Sequence, residues 1–376
     1  MRINVIGGGP AGLYFALLMR RAGAAREVTV YERNPPDATF GWGVVFSGRT
    51  LRNLREADEV SHGRITESFE TWDNVDVVLR DSRVTIRGND FSGVARLRLL
   101  NILQERCEEV GVRLLFRTEV EDVDALARDC DLLVGADGVG SAVRERYAEE
   151  FNPTIERGRN RYIWYGTRRL FHGLTLTFRE TEGGVFAAHS YKFGKELSTF
   201  IVECDEETWA RAGLERASDD EARARLARVF AADLEGHELL SNNSRWINFL
   251  LVKNGRWSSG NVVLLGDALH TAHFSIGSGT KLAMEDSVAL FRLFEAGLDV
   301  PSALAEFERR RRPVVEEYQQ AAHESRLWFE HARDYLHLDP LRFAYSLMTR
   351  SRRVTGESLR RRDPSFVAAC EAAARA

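Results

Sequence analysis

Three glycines near the N-terminus, Gly7, Gly9 and Gly12, constrain this chain more than any other feature. They fall as G-x-G-x-x-G between the apolar run Arg2 to Ile6 and a helix-like segment from Pro10 to about Ala22. The first glycine permits a tight turn after a strand. The second lets the backbone approach a pyrophosphate, and the third allows close helix–strand packing. Pro10 suits the first turn of a helix and Gly23 its end. The helix N-terminus then offers unpaired N–H groups and a positive dipole end to phosphates. Glu32, with Arg33 beside it, closes the next strand (Glu27 to Tyr31), where an acid can accept hydrogen bonds from a ribose. Strand, helix and downstream acid together predict a dinucleotide site, and leave open whether the dinucleotide is FAD or NAD.

Further along, a helix from Leu97 to Val110 is followed by the strand-like runs Val112 to Phe116 and Leu132 to Val134. This alternation predicts β-α-β units around a parallel sheet. The middle differs. Val75 to Leu79, Val84 to Arg87, Tyr162 to Thr167, Leu174 to Phe178, Val185 to Tyr191 and Thr199 to Glu203 read as strands without intervening helices, hence a second, largely antiparallel sheet. Val262 to Leu265 returns to a buried-strand pattern, helices fill Lys281 to Glu295 and Ser302 to Glu330, and the tail after His337 reads as a helical flap. The dinucleotide lobe is thus expected to comprise residues 1–65, 92–155 and 258–330. A substrate lobe takes 66–91 and 156–257, and a C-terminal helical segment 331–376.

Composition narrows the partners. With 52 Lys+Arg against 56 Asp+Glu, a nucleic-acid partner is not expected. The runs Arg309 to Arg312 and Arg360 to Arg362 read as solvated helix faces. Cys107, Cys130, Cys204 and Cys370 are scattered, so neither a metal site nor a disulfide framework is expected. No apolar run approaches the ~20 residues that span a bilayer. The strand-like Arg2 to Ile6 follows Met1 at once, leaving no room for a signal peptide, and a cytoplasmic monomer or homodimer is the expectation.

Two later segments select flavin. One is Asp137-Gly138 with Ser141 and Arg144; the other is Gly266-Asp267-Ala268-Leu269-His270, followed by Gly277, Gly279 and a helix. Both follow apolar strand-like runs, at the carboxyl edge where α/β sheets bind ligands. Asp267 suits hydrogen bonds from a ribityl chain. The Gly277–Gly279 turn would aim a helix N-terminus at the pyrimidine end of a flavin, where it stabilises the anionic reduced form.

On these three motifs, in this order, the chain resembles the single-component (group A) flavin aromatic hydroxylases, the para-hydroxybenzoate hydroxylase-like group. The resemblance implies an α/β fold: a Rossmann-like FAD-binding lobe, an interleaved antiparallel-sheet substrate lobe and C-terminal helices. It implies FAD as cofactor, NAD(P)H as co-substrate, and oxygen transfer to an electron-rich ring through a flavin C4a-hydroperoxide. Phe40-Gly41-Trp42-Gly43-Val44-Val45-Phe46-Ser47, Tyr162 to Thr167, Ser198 to Glu203 and His273 to Thr280 look like the subgroup of salicylyl-CoA 5-hydroxylase, the hydroxylase half of 2-aminobenzoyl-CoA monooxygenase/reductase and a violacein-pathway hydroxylase. That likeness makes an aryl-CoA thioester such as salicylyl-CoA the expected substrate, and a free or carrier-bound indole or tryptophan-type ring the alternative. The chain departs from many members at Phe274, where they carry proline, so altered packing beside the flavin is expected. A flavin halogenase would show W-x-W-x-I-P, which is absent.

No second G-x-G-x-x-G is present, so NAD(P)H is expected to visit without a lobe of its own. By resemblance Arg96, rather than Arg98, is the arginine near the flavin, and the Phe40 to Ser47 loop carries Trp42 over the isoalloxazine. A phenolic substrate benefits from a base that draws off its proton. Tyr165, His189 and Tyr191 on the predicted sheet, with His273 beside the G-D segment, are the candidates.

Overall fold

The computed structural model describes residues 1–277 and 279–375; Ser278, in the His273 to Thr280 segment, lies outside the described residues. The chain opens with β1 (Arg2–Ile6), α1 (Pro10–Arg21), β2 (Glu27–Glu32) and β3 (Gly43–Ser47). Next come α2 (Gly48–Ala57), α3 (Glu59–Glu67), β4 (Glu70–Trp72), β5 (Val75–Leu79), β6 (Ser82–Ile86) and β7 (Phe91–Ala95). They are followed by α4 (Arg96–Glu109), β8 (Arg113–Phe116), α5 (Val123–Arg128), β9 (Leu132–Gly135), α6 (Ala142–Arg146) and α7 (Ala148–Phe151). The middle holds β10 (Pro153–Thr167), β11 (Leu174–Thr181), β12 (Gly184–Lys192), β13 (Ser198–Cys204), α8 (Glu206–Arg211), α9 (Asp219–Val229) and α10 (Ala231–Leu234). After β14 (Leu239–Leu240), β15 (Ile247–Asn254), β16 (Ser258–Ser259) and β17 (Val262–Leu264) the chain is helical: α11 (Gly279–Glu295), α12 (Val300–Glu330), α13 (Pro340–Thr349), α14 (Gly356–Arg362) and α15 (Pro364–Ala373).

Three sheets result. The first has the order β16-β17-β9-β1-β2-β8, parallel except at the β16 edge. Its central strands are buried, β9 apolar throughout and β1 from Ile3 to Ile6, where the one polar residue, Asn4, donates to Leu126 O. The second runs β14-β10-β13-β12-β11-β5-β6, with β15 also on β10, and is antiparallel except where β5 meets β11. A third, small sheet joins β3, β7 and β4. It corrects the sequence reading, which made all of Phe40 to Ser47 a loop. Only Phe40 to Trp42 is one, and the remainder pairs with β7 from Gly43↔Ala95 to Ser47↔Phe91.

The face of the second sheet carrying Ile163, Tyr165, Phe186, Ala188, Phe200 and Val202 packs against α8 to α10. The opposite face is covered over β5, β11 and β12 by Trp328, Phe329, Phe343 and Leu347 of α12 and α13. The tail read as a flap therefore packs as a wall on the second sheet. No helix among the described residues is long and apolar enough to cross a membrane.

The arginine run 309–312 also departs from its reading as a solvated face. Arg309 and Arg310 pair with Glu306 on the surface. Arg311 turns inward with Leu304, Phe307 and Val315, one helical stripe apart, and is buried. There its guanidinium binds Asp286 at 2.8 Å and Glu285 at 3.2 Å.

Candidate active site

The first site forms where β1 hands over to α1. Gly7 has φ +109°, and a Cβ there would lie 2.2 Å from the Ala136 carbonyl oxygen. A Cβ on Gly12 would lie 2.1 Å from the Gly7 oxygen, whereas one on Gly9 would meet nothing within 4 Å. Two glycines are thus required by packing and the third leaves its backbone open to a ligand. Gly9 precedes α1 with no side-chain cap and no acid in the first turn, so the helix N–H groups stay available to an anion. Glu32 folds back over the loop: Oε2 accepts from Gly8 N at 2.7 Å, and Oε1 accepts from Asn34 N and Nδ2. Oε2 keeps a lone pair for a ribose hydroxyl. Arg33 beside it is exposed.

Across the carboxyl edge, the Asp137 and Asp267 segments are joined by Arg144, whose Nη1 donates to Ala268 O at 3.0 Å and whose Nη2 donates to Val139 O. Asp137 Oδ1 is buried without a partner, and burial pushes its carboxyl up. Asp267 is accessible to solvent yet deeply enclosed. Burial raises its carboxyl, and the Arg96 guanidinium opposes that rise. Gly266, at φ +60°, packs a would-be Cβ 3.0 Å from Ala11, which seats the turn on the start of α1. Arg98, the alternative to Arg96, faces outward to Ser68 and Glu105.

An uncapped helix N-terminus, an open glycine, an orphaned buried acceptor and an enclosed carboxylate beside an arginine fit a dinucleotide carrying phosphates at one end and hydroxyls at the other. Gly277, at φ +61°, and Gly279 would each meet nothing within 4 Å if given a Cβ, so the entry to α11 is open to a ligand as well. Behind the turn lies a network that sequence reasoning missed. His270 Nε2 lies 2.7 Å from Asp286 Oδ2, Arg311 pairs with Asp286 and Glu285, and Thr50 donates to Glu285 at 3.1 Å. Against the cost of full burial, His270 and Arg311 hold the Asp286 carboxyl below the usual range.

The inward face of the second sheet approaches this edge. Its register sets rows of side chains on one face: Tyr162–Glu203–Ala187, Trp164–Ile201–His189 and Gly166–Thr199–Tyr191. Phe274 lies across them, its ring centroid 4.6 Å from Tyr162 and 5.3 Å from His189. Burial, with Asp267 and Glu203 nearby, raises the Tyr162 phenol, so it stays protonated. Trp42 packs onto the row at Gly166, where a Cβ would lie 2.7 Å from its ring, and Gly41 is held open by Trp164 in the same way at 2.6 Å.

Of the four catalytic candidates, three reach this region. His189 is on the inward face, 3.4 Å from Glu203. Tyr191 donates to Gly43 O at 2.8 Å and stands near Arg96. His273 meets Ser275 Oγ at 2.8 Å; burial, followed by His189, Arg326 and Arg350, pushes it well below the ordinary histidine value and keeps it neutral. Tyr165 is not brought there. Its position on β10 has the opposite parity to Tyr162 and Trp164, and its hydroxyl bonds Asp219 at 3.0 Å on the far face.

Three more residues complete the region. Tyr162 and Glu203 are legible only from strand parity. Arg350, from the C-terminal segment, donates to Ser325 Oγ at 2.8 Å and Ser275 O at 2.7 Å. Burial lowers its pKa to about 10, so it stays cationic near neutral pH.

Comparison with known proteins identifies the family. A family model described as an FAD binding domain matches residues 1–322. Salicyloyl-CoA 5-hydroxylase of a Streptomyces species is 44% identical over 98% of this chain and 72% of its own length. Protodeoxyviolaceinate monooxygenase of Chromobacterium violaceum is 36% identical, covering 93% of this chain and 94% of its own. A 3-hydroxy-4-methyl-anthranilyl-(aryl-carrier protein) 5-monooxygenase of Streptosporangium sibiricum is 38% identical over 88% and 89%. Among solved structures, 2-methyl-3-hydroxypyridine-5-carboxylic acid oxygenase superposes with a TM-score of 0.75 over 97% of this chain and 96% of that one, at 19% identity, which speaks to the fold alone.

Proposed function

The chain belongs to the FAD-binding-domain family and is an FAD-dependent aromatic-ring hydroxylase; from that premise we propose that it acts on an aryl-CoA thioester, salicyloyl-CoA or a close analogue. The observation carrying this choice is the 44% identity to a salicyloyl-CoA hydroxylase across 98% of the chain, both lobes and the C-terminal helices included. The inward face supports it, with aromatic walls at Tyr162, Trp164 and Phe274 and acid–base groups at its centre.

Bound FAD supplies the redox chemistry, taking reducing equivalents from NAD(P)H and passing one atom of molecular oxygen to the ring. The protein's own residues then have separate tasks. Gly9 and the α1 N-terminus receive the pyrophosphate, Glu32 the ribose, and Asp267 with Arg96 the ribityl end. The α11 N-terminus favours negative charge next to it. Phe274, Tyr162 and Trp42 exclude water from the reacting ring.

A second reading, a free or carrier-bound indole-type ring, rests on the 36% identity to protodeoxyviolaceinate monooxygenase over nearly its whole length. The test measures NADH and NADPH consumption by the purified holoprotein with salicyloyl-CoA, 2-aminobenzoyl-CoA, salicylate and tryptophan. Faster consumption with a thioester, and a product heavier by one oxygen, is the expected result. Stimulation by tryptophan and by neither thioester would select the second reading.

A further inference from the structure

Glu203 has no part in the tasks above, yet its surroundings are costly for a carboxylate. It is 1% exposed, and neither of its oxygens accepts a hydrogen bond. Burial without a partner costs an ionised group several kcal/mol in real proteins, so such a group persists where another requirement keeps it. Its near neighbour is His189, with Nε2 3.4 Å from Oε1 and likewise without a hydrogen bond. Groups from several elements face the pair. Tyr162 faces it from β10, with Asp267 beyond, and Phe274 lies edge-on to the imidazole. Phe329 of α12 packs at a tilt, its ring centroid 4.7 Å from that of His189. Arg350 approaches Glu203 from the C-terminal segment, and His273, itself near Arg326, approaches His189.

We propose that Glu203 is a positioning residue for proton transfer: it orients His189 and stabilises its imidazolium, so that His189 accepts the proton of a ring hydroxyl on the substrate. This rests on the aromatic-hydroxylase reading above. With Nε2 turned to Glu203, Nδ1 is the nitrogen left for the substrate. The substrate O–H bond breaks, its electron pair stays on oxygen and enriches the ring, and the proton forms an N–H bond at Nδ1. Nε2–H then donates to Glu203 the charge-assisted hydrogen bond that its carboxylate lacks. Once oxygen has been added, Nδ1 returns its proton to the product oxygen, the hydrogen on the ring carbon leaves as a proton taken up by the second atom of molecular oxygen as it becomes water, and the pair ends as it began. NAD(P)H and molecular oxygen provide the electrons and the oxygen atom.

The neighbouring groups fit this division of labour. Tyr162 keeps its proton, since burial raises its phenol, and His273 is held neutral, so neither competes for the role. Arg350, cationic and lacking a carboxylate in direct contact among the described residues, favours the negative charge that develops on the substrate oxygen. The pair thus selects hydroxyaryl substrates: benzoyl-CoA should bind and not be hydroxylated.

The test follows phenolate absorbance of bound salicyloyl-CoA, and of bound 4-nitrophenol as an independent probe, across pH in the holoprotein, alongside kcat and KM. Wild type should hold both ligands as phenolates at lower pH than free solution does. Glu203→Gln should move that transition up by about one pH unit or more and lower kcat about tenfold with little change in KM, magnitudes set by the loss of one charge-assisted contact. Glu203→Asp should recover part of both, and a ring-fluorinated, more acidic salicyloyl-CoA should restore kcat in Glu203→Gln. An unchanged phenolate transition in Glu203→Gln would overturn the proposal, as would a kcat loss that the acidic analogue does not repair. If Glu203→Gln fails to fold with flavin, His189→Gln must show the same phenolate shift, and a wild-type transition there overturns the proposal equally. Lack of turnover by wild type with any thioester would overturn the substrate reading, while the nitrophenol titration still decides the role of the pair.

Discussion

Asp267→Ala is expected to purify as a folded protein with little or no bound flavin. None of the hydrogen bonds that hold its turn uses the Asp267 carboxylate: Leu269 N and His270 N close on Gly266 O at 2.9 Å, and Arg144 and Asn254 grip the Ala268 carbonyl. The enclosed carboxylate is instead a cost to the protein without its ligand, since burial raises its pKa above the ordinary carboxylate value. Removing it leaves the turn in place and takes away an acceptor for the ribityl hydroxyls. Hydrogen bonds to a charged group contribute about 1.5–3 kcal/mol, so affinity should fall about ten- to a hundredfold. Asp267→Asn, which keeps an acceptor oxygen without charge, should fall between. The flavin-to-protein absorbance ratio after purification, with a melting curve to confirm folding, reads the result. Full yellow occupancy in Asp267→Ala would remove the G-D turn from the flavin site.

Gly12→Val should have a larger effect of another kind: loss of soluble, folded protein. Its Cβ would sit 2.1 Å from the Gly7 carbonyl oxygen and 3.1 Å from Val5 Cγ1, between a rigid turn and a central strand. Neither neighbour is the end of a flexible side chain. Relief requires moving α1 off the sheet, and α1 is buried from Pro10 to Met19. A disruption of this class exceeds about 4 kcal/mol, a large share of the roughly 5–15 kcal/mol by which domains are stable. Gly9→Ala is the control. Its Cβ meets nothing within 4 Å, so it should fold and melt normally while holding flavin less tightly. Equal soluble yields and melting temperatures for Gly12→Val and Gly9→Ala would contradict the packing roles assigned to these glycines.

The parts of this molecule legible in its sequence are those with local causes. The glycine turn, α1 and β2 occupy one continuous stretch, and each constraint on them comes from residues within a few positions. The strands of the second sheet show in their composition, and α11 and α12 in their helical period. Parity is the step that residue type alone does not supply. Tyr165 draws attention as a residue type, yet its alternation with Tyr162 and Trp164 places it opposite Phe200 in the far-side core. The same alternation, applied to Thr199, Ile201 and Glu203, brings Glu203 to the inward face. Arg311 is likewise readable from its phase with Phe307 and Val315, and reading the run as one charged block conceals it.

Other features have no local signal. The pairing of β3 with β7 joins segments about fifty residues apart through five-residue strands too short to show a period. Arg350 reaches Ser275 across 75 positions, and only the packing of α13 against the second sheet brings it there. Phe274 is recognisable as a departure, but its place over Tyr162 and His189 depends on how the two sheets meet.

Insertion of one atom of molecular oxygen into the ring of an aryl thioester, at the expense of NAD(P)H, is the reaction on which the roles assigned above depend. It is tested most directly by turnover of salicyloyl-CoA under isotopically heavy oxygen gas, with mass analysis of the aromatic product. The expected product is the thioester carrying one heavy oxygen on the ring, formed in step with coenzyme consumption. Coenzyme consumed only to hydrogen peroxide, or product oxygen drawn from water, would contradict it.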